Sequence, residues 1–268
     1  MTLVYLIGLA YLLERVSLVM TGFNYGAKYN GLGAVEGALR RTGEAPMVYR
    51  VLVPWVMAVL QRMGMRKLEA YELCKFTLNF FALYAVSLAW GFEAAVVTAF
   101  FLPVTFLYDY WDWAVEMGAI ALGMTGRIDL AILGVVLLAM SRETFILVGL
   151  ALWMVSGDSL AALLVISMGG AVWLMVRMIQ GEHKLYCKRF MLRENLRAIW
   201  HVRAKRPWIL SDVVISLLLG LAGVGYVVSL SPGWPVVVMV LASGLALGRI
   251  EETRVFASVL PFLAGVMV

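Results

Sequence analysis

Long apolar stretches, separated by short polar or charged interruptions, occupy almost the whole sequence. The first covers residues 1–20, and the last three cover about 208–230, 234–248 and 254–268. A helix needs about 20 apolar residues to cross a hydrocarbon core of about 30 Å. The pattern therefore predicts an all-α polytopic membrane protein with about 8–11 transmembrane or half-membrane helices and no soluble domain.

Two apolar stretches are interrupted at their centres by charge. Residues 93–126 contain Tyr-Asp-Tyr-Trp-Asp-Trp at 108–113, and residues 129–157 contain Ser-Arg-Glu-Thr at 141–144. Each arm has only about 13–16 residues, which is less than a full crossing needs. Either the arms are short helices whose turns enter a thinned, hydrated region, or a longer helix carries charge at mid-depth. Both alternatives place charge beside a cavity.

The composition has the same implication. Apolar residues make up 63% of the 268 residues and charged residues 15%, and the mean hydropathy is +0.89. Soluble domains have roughly 45–50% and about 25%, respectively. We expect residues 1–268 to form one membrane domain. The two cysteines and two histidines argue against a disulfide framework, a zinc site or a Ser-His-Asp triad.

The net charge of +5 is unevenly spread, because segment 178–208 holds eight of the 22 basic residues. Apolar residues recur there at helical spacing, which predicts an amphipathic helix on membrane lipids at the cytoplasmic leaflet. A positive-inside loop without a partner is the alternative. No folded domain accompanies this charge, so nucleic-acid binding is not expected. The basic loop at 62–67 is also predicted inside, which places the glycine-rich loop 21–46 outside.

Three carboxylates follow one another at helical spacing in the first interrupted stretch. Asp109, Asp112 and Glu116 share one face if this segment is helical. They cannot all stay ionised in an apolar setting without cations, which Arg142, Arg249, Arg254 or a divalent ion would supply. Asp109 and Asp112 holding Mg²⁺ or Mn²⁺ against a diphosphate is one such arrangement. An interfacial loop beside an aromatic belt is the alternative.

Arginines and acidic residues elsewhere form further charged centres. Pro54 is expected to kink the helix near Arg50, whose guanidinium suits a phosphate but would also anchor a helix end. Arg142 with Glu143, and Glu252 with its neighbouring arginines, form pairs that neutralise each other. Such pairs commonly serve helix packing. Three charged centres in one small bundle exceed that need, and ionisable groups within a membrane indicate function.

Four short motifs follow one another along the chain. They are Tyr-Arg-Val-Leu-Val-Pro at 49–54, the acidic-aromatic turn at 108–113, Arg-Glu-Thr at 142–144, and Glu-Thr-Arg at 252–254 with Pro261 beyond. Together they resemble poorly characterised bacterial membrane proteins related to the GT-C class of glycosyltransferases. The resemblance implies a multi-pass protein of the bacterial inner membrane. Its expected activity is transfer of a sugar from a polyprenyl-phosphate carrier to an acceptor on the outer face.

The resemblance also implies roles for residues. A carboxylate in the first outer loop would act as base or metal ligand, but that loop contains no aspartate. Glu36, or Asp109 and Asp112 in its place, would then deprotonate the acceptor hydroxyl, unless catalysis has been lost. The other candidates would bind the donor phosphate (Arg50, Arg142 and Arg254) or support these groups (Glu116, Glu143 and Glu252).

Two rival functions fit the same sequence. A non-catalytic subunit of a larger membrane complex agrees with the missing loop aspartate and the missing soluble domain. An ion-coupled transporter would use the face of Asp109, Asp112 and Glu116 as a relay. Convergence of Glu36, Asp109 and Arg142 on one cavity would favour the enzyme, whereas charges paired locally and apart would favour a structural role.

Overall fold

A computed structural model of the chain describes residues 2–25, 30–42, 49–102, 112–182, 207–231, 233–247 and 257–268. These residues form twelve helices and no strand, which confirms the predicted all-α fold. The helices are α1 (Thr2–Tyr25), α2 (Asn30–Arg40), α3 (Leu52–Arg62), α4 (Lys67–Trp90), α5 (Phe92–Phe101), α6 (Asp112–Met124), α7 (Ile128–Ala139), α8 (Ile146–Ser156), α9 (Ser159–Gln180), α10 (Pro207–Val228), α11 (Trp234–Leu247) and α12 (Leu260–Met267).

The helices fall into two length classes. Within the described residues, α1, α4 and α9 are long and apolar enough to cross a membrane. They have 22 to 24 residues, which corresponds to about 33–36 Å. In contrast, α3, α5, α7 and α8 have only 10 to 12 residues, about 15–18 Å. The long helices support association with a membrane, and the short ones agree with the half-length arms predicted from the sequence.

The second interrupted stretch, residues 129–157, forms two short helices and not one longer helix. Helices α7 and α8 are separate, and Ser141, Arg142, Glu143 and Thr144 form the turn between them. The carbonyl oxygen of Met140 accepts hydrogen bonds from two backbone N–H groups just before and at the start of α3 (2.8 and 3.2 Å). The turn is therefore inside the bundle and joined directly to the start of α3.

The termini of α4 define two ends of the bundle, which we call the Lys67 end and the Trp90 end. The contacts between α6 and α4 give the position of α6 between these ends. A side chain at Gly118 of α6 would collide with the Phe81 ring and the Ala82 backbone of α4. Met124, at the end of α6, belongs to a core cluster against which Trp90 packs. Helix α6 therefore runs parallel to α4, and it begins beside residue 76, about 14 Å from the Lys67 end.

Helix α2 lies at the Lys67 end. Its Glu36 carboxylate forms an ion pair with Lys67, and its Val35 packs with Val53 and Met57 of α3. The sequence analysis placed the loop 21–46 outside and the loop 62–67 inside. These two assignments cannot both hold, because the described part of the first loop contacts the end of the second.

Side-specific labelling tests whether α2 and the loop 62–67 lie on the same side of the membrane. We expect single cysteines at Gly33 and Met63, in a chain carrying Cys74→Ala and Cys187→Ser, to react with a membrane-impermeant maleimide from the same side. Both positions are exposed, and nothing lies within 4 Å of a side chain at Gly33. Arg127 follows α6, whose last residues lie at the Trp90 end of the bundle. A cysteine at Arg127 should therefore react only from the opposite side. Labelling of positions 33 and 63 from different sides would contradict this packing.

Candidate functional site

Four separate segments meet at one buried group of charged and hydroxyl side chains. The segments are the residues before α3, the start of α6, the turn between α7 and α8, and the short 3₁₀ turn before α12. We call this group the charged cluster; it consists of Arg50, Asp112, Glu116, Arg142, Thr144 and Ser258.

Arg142 connects the two carboxylates of the charged cluster. Its Nη1 lies 2.8 Å from Glu116 Oε2, and its Nε lies 3.8 Å from Asp112 Oδ2. Arg50 Nη1 donates a hydrogen bond to the same Asp112 oxygen at 2.7 Å. Among the described residues, two guanidinium groups and two carboxylates therefore alternate in one continuous network, and their formal charges balance.

Glu116 is held by three donors. Besides Arg142, the Thr144 hydroxyl donates to Oε2 at 2.8 Å and the Ser258 hydroxyl donates to Oε1 at 2.9 Å. Most of the acceptor capacity of this carboxylate is thus used by the protein itself. Glu116 lies one turn after Asp112, which is the first residue of α6.

Burial makes these contacts important. Asp112 and Glu116 are 3% and 2% exposed, and Arg50 is 9% exposed. Removing such charges from water costs several kcal/mol per ion unless partners with good geometry compensate. Asp112 also opens α6, where the N-terminal end of the helix dipole favours a negative charge.

Local sequence explains how Arg50 reaches this position. The N–H groups of Val51 and Leu52 bind the carbonyl of Met140, which holds the segment before α3 against the α7–α8 turn. Helix α3 begins at Leu52, so Pro54 lies in its first turn, where a missing N–H group leaves no intrahelical bond unmade. The kink predicted at Pro54 is therefore wrong: the helix starts there instead of bending.

The structure brings together four of the predicted site residues and separates two others. Arg50, Asp112, Glu116 and Arg142 meet in the charged cluster, as described above. Glu143 points to Arg177 instead, at 4.0 Å, and is partly exposed. Asp109, Glu252 and Arg254 lie outside the described residues, so their predicted roles and the predicted site for Mg²⁺ or Mn²⁺ stay predictions. Within the described part of the chain, no group of three metal-binding side chains occurs.

Glu36 does not join the charged cluster. Its carboxylate is about half exposed and pairs with Lys67 at the end of the bundle. The hydrogen bond from the Lys67 ammonium lowers the pKa of Glu36. Because Glu36 pairs with Lys67 at the end of the bundle, it does not act together with the arginines of the charged cluster.

Two sets of polar side chains within the bundle were not singled out from the sequence. Ser258 was not singled out because a lone serine in an apolar stretch has no recognisable pattern. A second polar group connects α1 and α4, where Lys75 Nζ donates to Ser17 Oγ at 3.0 Å and Arg15 Nε lies 2.7 Å from Glu14 Oε2. Glu14 and Lys75 are buried, and their signal was an ionisable residue within an apolar stretch.

Comparison with other proteins found no relative of this chain. No protein-family model matches the chain, and no characterised protein or solved structure is significantly similar to it. The resemblance to GT-C enzymes therefore stays a prediction, and the chemistry of the charged cluster is the basis for proposing a function.

The bridging role of Arg142 is testable by substitution. We expect Arg142→Met to lower the free energy of unfolding in detergent by about 3–5 kcal/mol, because it leaves two buried carboxylates with one arginine. Combining it with Glu116→Gln should recover part of the loss, because the second charge is then removed as well.

Glu143→Gln, at the adjacent residue, is the matched control. Its carboxylate is more than one third exposed and lies 4.0 Å from Arg177, so its removal should change stability by at most about 0.5–1 kcal/mol. Equal losses for Arg142→Met and Glu143→Gln would show that the buried bridge is not a major contributor.

Proposed function

We propose that this chain is a multi-pass protein of the bacterial inner membrane that transfers a sugar from a polyprenyl-phosphate carrier to an acceptor. The observation that supports it is the charged cluster, in which Arg50 and two carboxylates are buried and Arg142 is partly buried, where short helices meet. Ionisable groups within a membrane are rare and indicate a functional site. Arginine and carboxylate are also the residue types that phosphate binding and proton transfer need.

Arg50 is the proposed phosphate-binding residue. One of its terminal nitrogens binds Asp112, whereas its Nε is buried and has no hydrogen-bond partner among the described residues. A guanidinium holds a phosphate through a planar fork of N–H groups. Stabilising the negative charge of the departing lipid phosphate would be its contribution to the reaction.

Asp112 is the proposed base, and Glu116 and Arg142 position it. Asp112 lies between Arg50 and Arg142, beside the proposed phosphate-binding residue, whereas Glu116 is engaged by Arg142, Thr144 and Ser258. The acceptor hydroxyl would lose its proton to Asp112 as it attacks the anomeric carbon, and the bond from that carbon to the lipid phosphate would break. Asp109 with Asp112 as a metal site is a separate proposal, which addition of a chelator during the assay examines.

The charged cluster lies nearer to the Lys67 end, about 14 Å along α4 from that terminus. Arg40, Arg62 and Lys67 make this end basic, and basic loops are normally cytoplasmic. Transfer on the outer face, which the GT-C resemblance implies, would require the Lys67 end to face outward. The labelling pattern of Gly33 and Met63 cysteines therefore also decides from which side the donor enters.

Transfer by purified protein in liposomes tests the proposal. Radiolabelled polyprenyl-phosphate glucose and polyprenyl-phosphate mannose are offered as donors, with membrane lipids and a water-soluble glycan as acceptors, and loss of label from the donor is measured. We expect turnover with one of the donors, reduced about 10²–10³-fold by Arg50→Gln and by Asp112→Asn.

Glu36→Gln is the control, because Glu36 lies outside the charged cluster, and it should retain turnover within about threefold. Unchanged transfer in Arg50→Gln and Asp112→Asn would refute the assigned site. Lack of turnover with every donor, together with constant co-purifying membrane proteins, would instead favour the non-catalytic subunit.

The non-catalytic alternative has one observation in its favour. Among the described residues, the two guanidinium groups and the two carboxylates of the cluster balance in charge, so these ion pairs form without a ligand. A buried network of this kind can fix how helices pack and have no further role. Binding of polyprenyl phosphate that depends on Arg50 would distinguish a working site from this structural role.

A further inference from the structure

Arg177 of α9 is held by two aromatic rings. Its guanidinium carbon is 4.4 Å from the centre of the Tyr49 ring and 4.1 Å from the centre of the Trp173 ring. The face of an aromatic ring attracts a cation at such distances. Tyr49 is itself fixed, because its hydroxyl donates to the carbonyl oxygen of Gly181 at 3.0 Å. The position of the guanidinium is therefore set by packing.

The terminal nitrogens of Arg177 keep their N–H groups for a ligand. The nearest carboxylate oxygen in the described part of the chain, Glu143 Oε1, is 4.0 Å from Nη2, which is too long for a hydrogen bond. Arg177 forms no hydrogen bond with the described residues, and only its Nε is both buried and without a partner. Both terminal nitrogens are therefore accessible, in a side chain that is 38% exposed.

Arg177 lies between the charged cluster and the Lys67 end of the bundle. Gly126, which follows α6 at the Trp90 end, lies against Val155 of α8, and a two-residue connection leads from α8 into α9. Helix α9 therefore starts at the Trp90 end. A side chain at Gly169 would collide with the ring of Phe145, beside the α7–α8 turn. Arg177 follows eight residues later, about 12 Å nearer the Lys67 end.

The direction of this side chain differs from that of an anchoring arginine. An arginine near a helix end ordinarily extends toward water at the membrane interface. Helical side chains point back toward the N-terminus, and Arg177 extends toward Glu143, which directly follows Arg142 of the charged cluster. Its aromatic partner Tyr49 directly precedes Arg50. The guanidinium thus lies against the two segments that supply the arginines of the cluster.

We propose that Arg177 is the entry site for the phosphate of the lipid carrier, which it binds before the phosphate reaches Arg50. A phosphate accepts hydrogen bonds from the fork of an arginine. Helix α4, at about 36 Å, is longer than the hydrocarbon core of about 30 Å, so its Lys67 end reaches the level of lipid phosphates. Binding would replace the contact with Glu143. This inference rests on the proposed function, which supplies the carrier.

Binding of polyprenyl phosphate to the purified protein in mild detergent tests the entry site, with bound lipid counted by native mass spectrometry. We expect Arg177→Gln to weaken binding about tenfold, the effect of losing hydrogen bonds to a charged group. Arg177→Lys keeps the charge without the planar fork and should recover only part of the affinity. Arg127→Gln is the matched control, because Arg127 is an exposed arginine beyond α6 that pairs with Asp129. Its affinity should equal that of the unmodified chain.

Glu143→Gln separates a ligand site from a structural ion pair. In an entry site the Glu143 carboxylate competes with the phosphate for Arg177 and repels it. We therefore expect Glu143→Gln to strengthen binding about threefold, the size of one partly exposed ion pair. A purely structural pair predicts unchanged or weaker binding, and either result would overturn the proposal. If Arg177→Gln fails to fold, as judged by gel filtration, this comparison decides alone.

Three competitors identify what the site recognises. Polyprenol of equal chain length lacks the phosphate, so Arg177→Gln should not change its binding. Inorganic phosphate and phosphatidylglycerol, each equimolar with polyprenyl phosphate, should leave most of the carrier bound, because neither is proposed to pass on to Arg50. Full displacement by inorganic phosphate would assign the site to free phosphate, and full displacement by phosphatidylglycerol would assign it to bulk lipid. Each of these results would refute an entry site for the carrier.

Kinetics separate this proposal from the proposed transferase. In the transfer assay, Arg177→Gln should raise KM about tenfold and leave kcat within about twofold, because Arg177 acts before the reaction, whereas Arg50→Gln lowers kcat. Transfer with an unchanged KM in Arg177→Gln refutes the entry site and leaves the transferase intact. Absence of turnover, with polyprenyl phosphate binding that still depends on Arg177, refutes the transferase and leaves the phosphate site intact.

Discussion

The pairing of Arg142 with two buried carboxylates is the interaction on which the centre of this protein depends. Asp112 and Glu116 are one turn apart on α6, and neither can stay charged in apolar surroundings without a cation nearby. The cations come from two other segments, the α7–α8 turn and the residues before α3. Removing either arginine would leave an uncompensated charge, so these segments must meet.

That requirement accounts for the half-length helices. Helices that end inside a bundle leave backbone N–H and C=O groups without intrahelical partners, which is costly away from water. Part of this need is satisfied by the Met140 carbonyl, which accepts two N–H groups from the chain entering α3. Small residues bring the helices close together: a side chain at Gly123 would collide with the Val148 carbonyl, and one at Gly134 with the Ala119 backbone.

The charged cluster lies toward the Lys67 end of the bundle and offers guanidinium and carboxylate groups, which suit a phosphate and a hydroxyl.

The sequence alone determined the helical class, the half-length arms around residues 141–144, and four members of the charged cluster. These follow from local properties: apolar length sets how far a helix extends, and a charge within an apolar run must be satisfied wherever it lies. Tertiary structure alone decided which charges meet. Glu36 and Asp112 are both flanked by apolar residues in the sequence, yet one pairs with Lys67 at the bundle end and the other with Arg50 inside it. Spacing along the chain carries no information on that choice, because the partners are 31 and 62 residues apart and only the packing of helices brings them together.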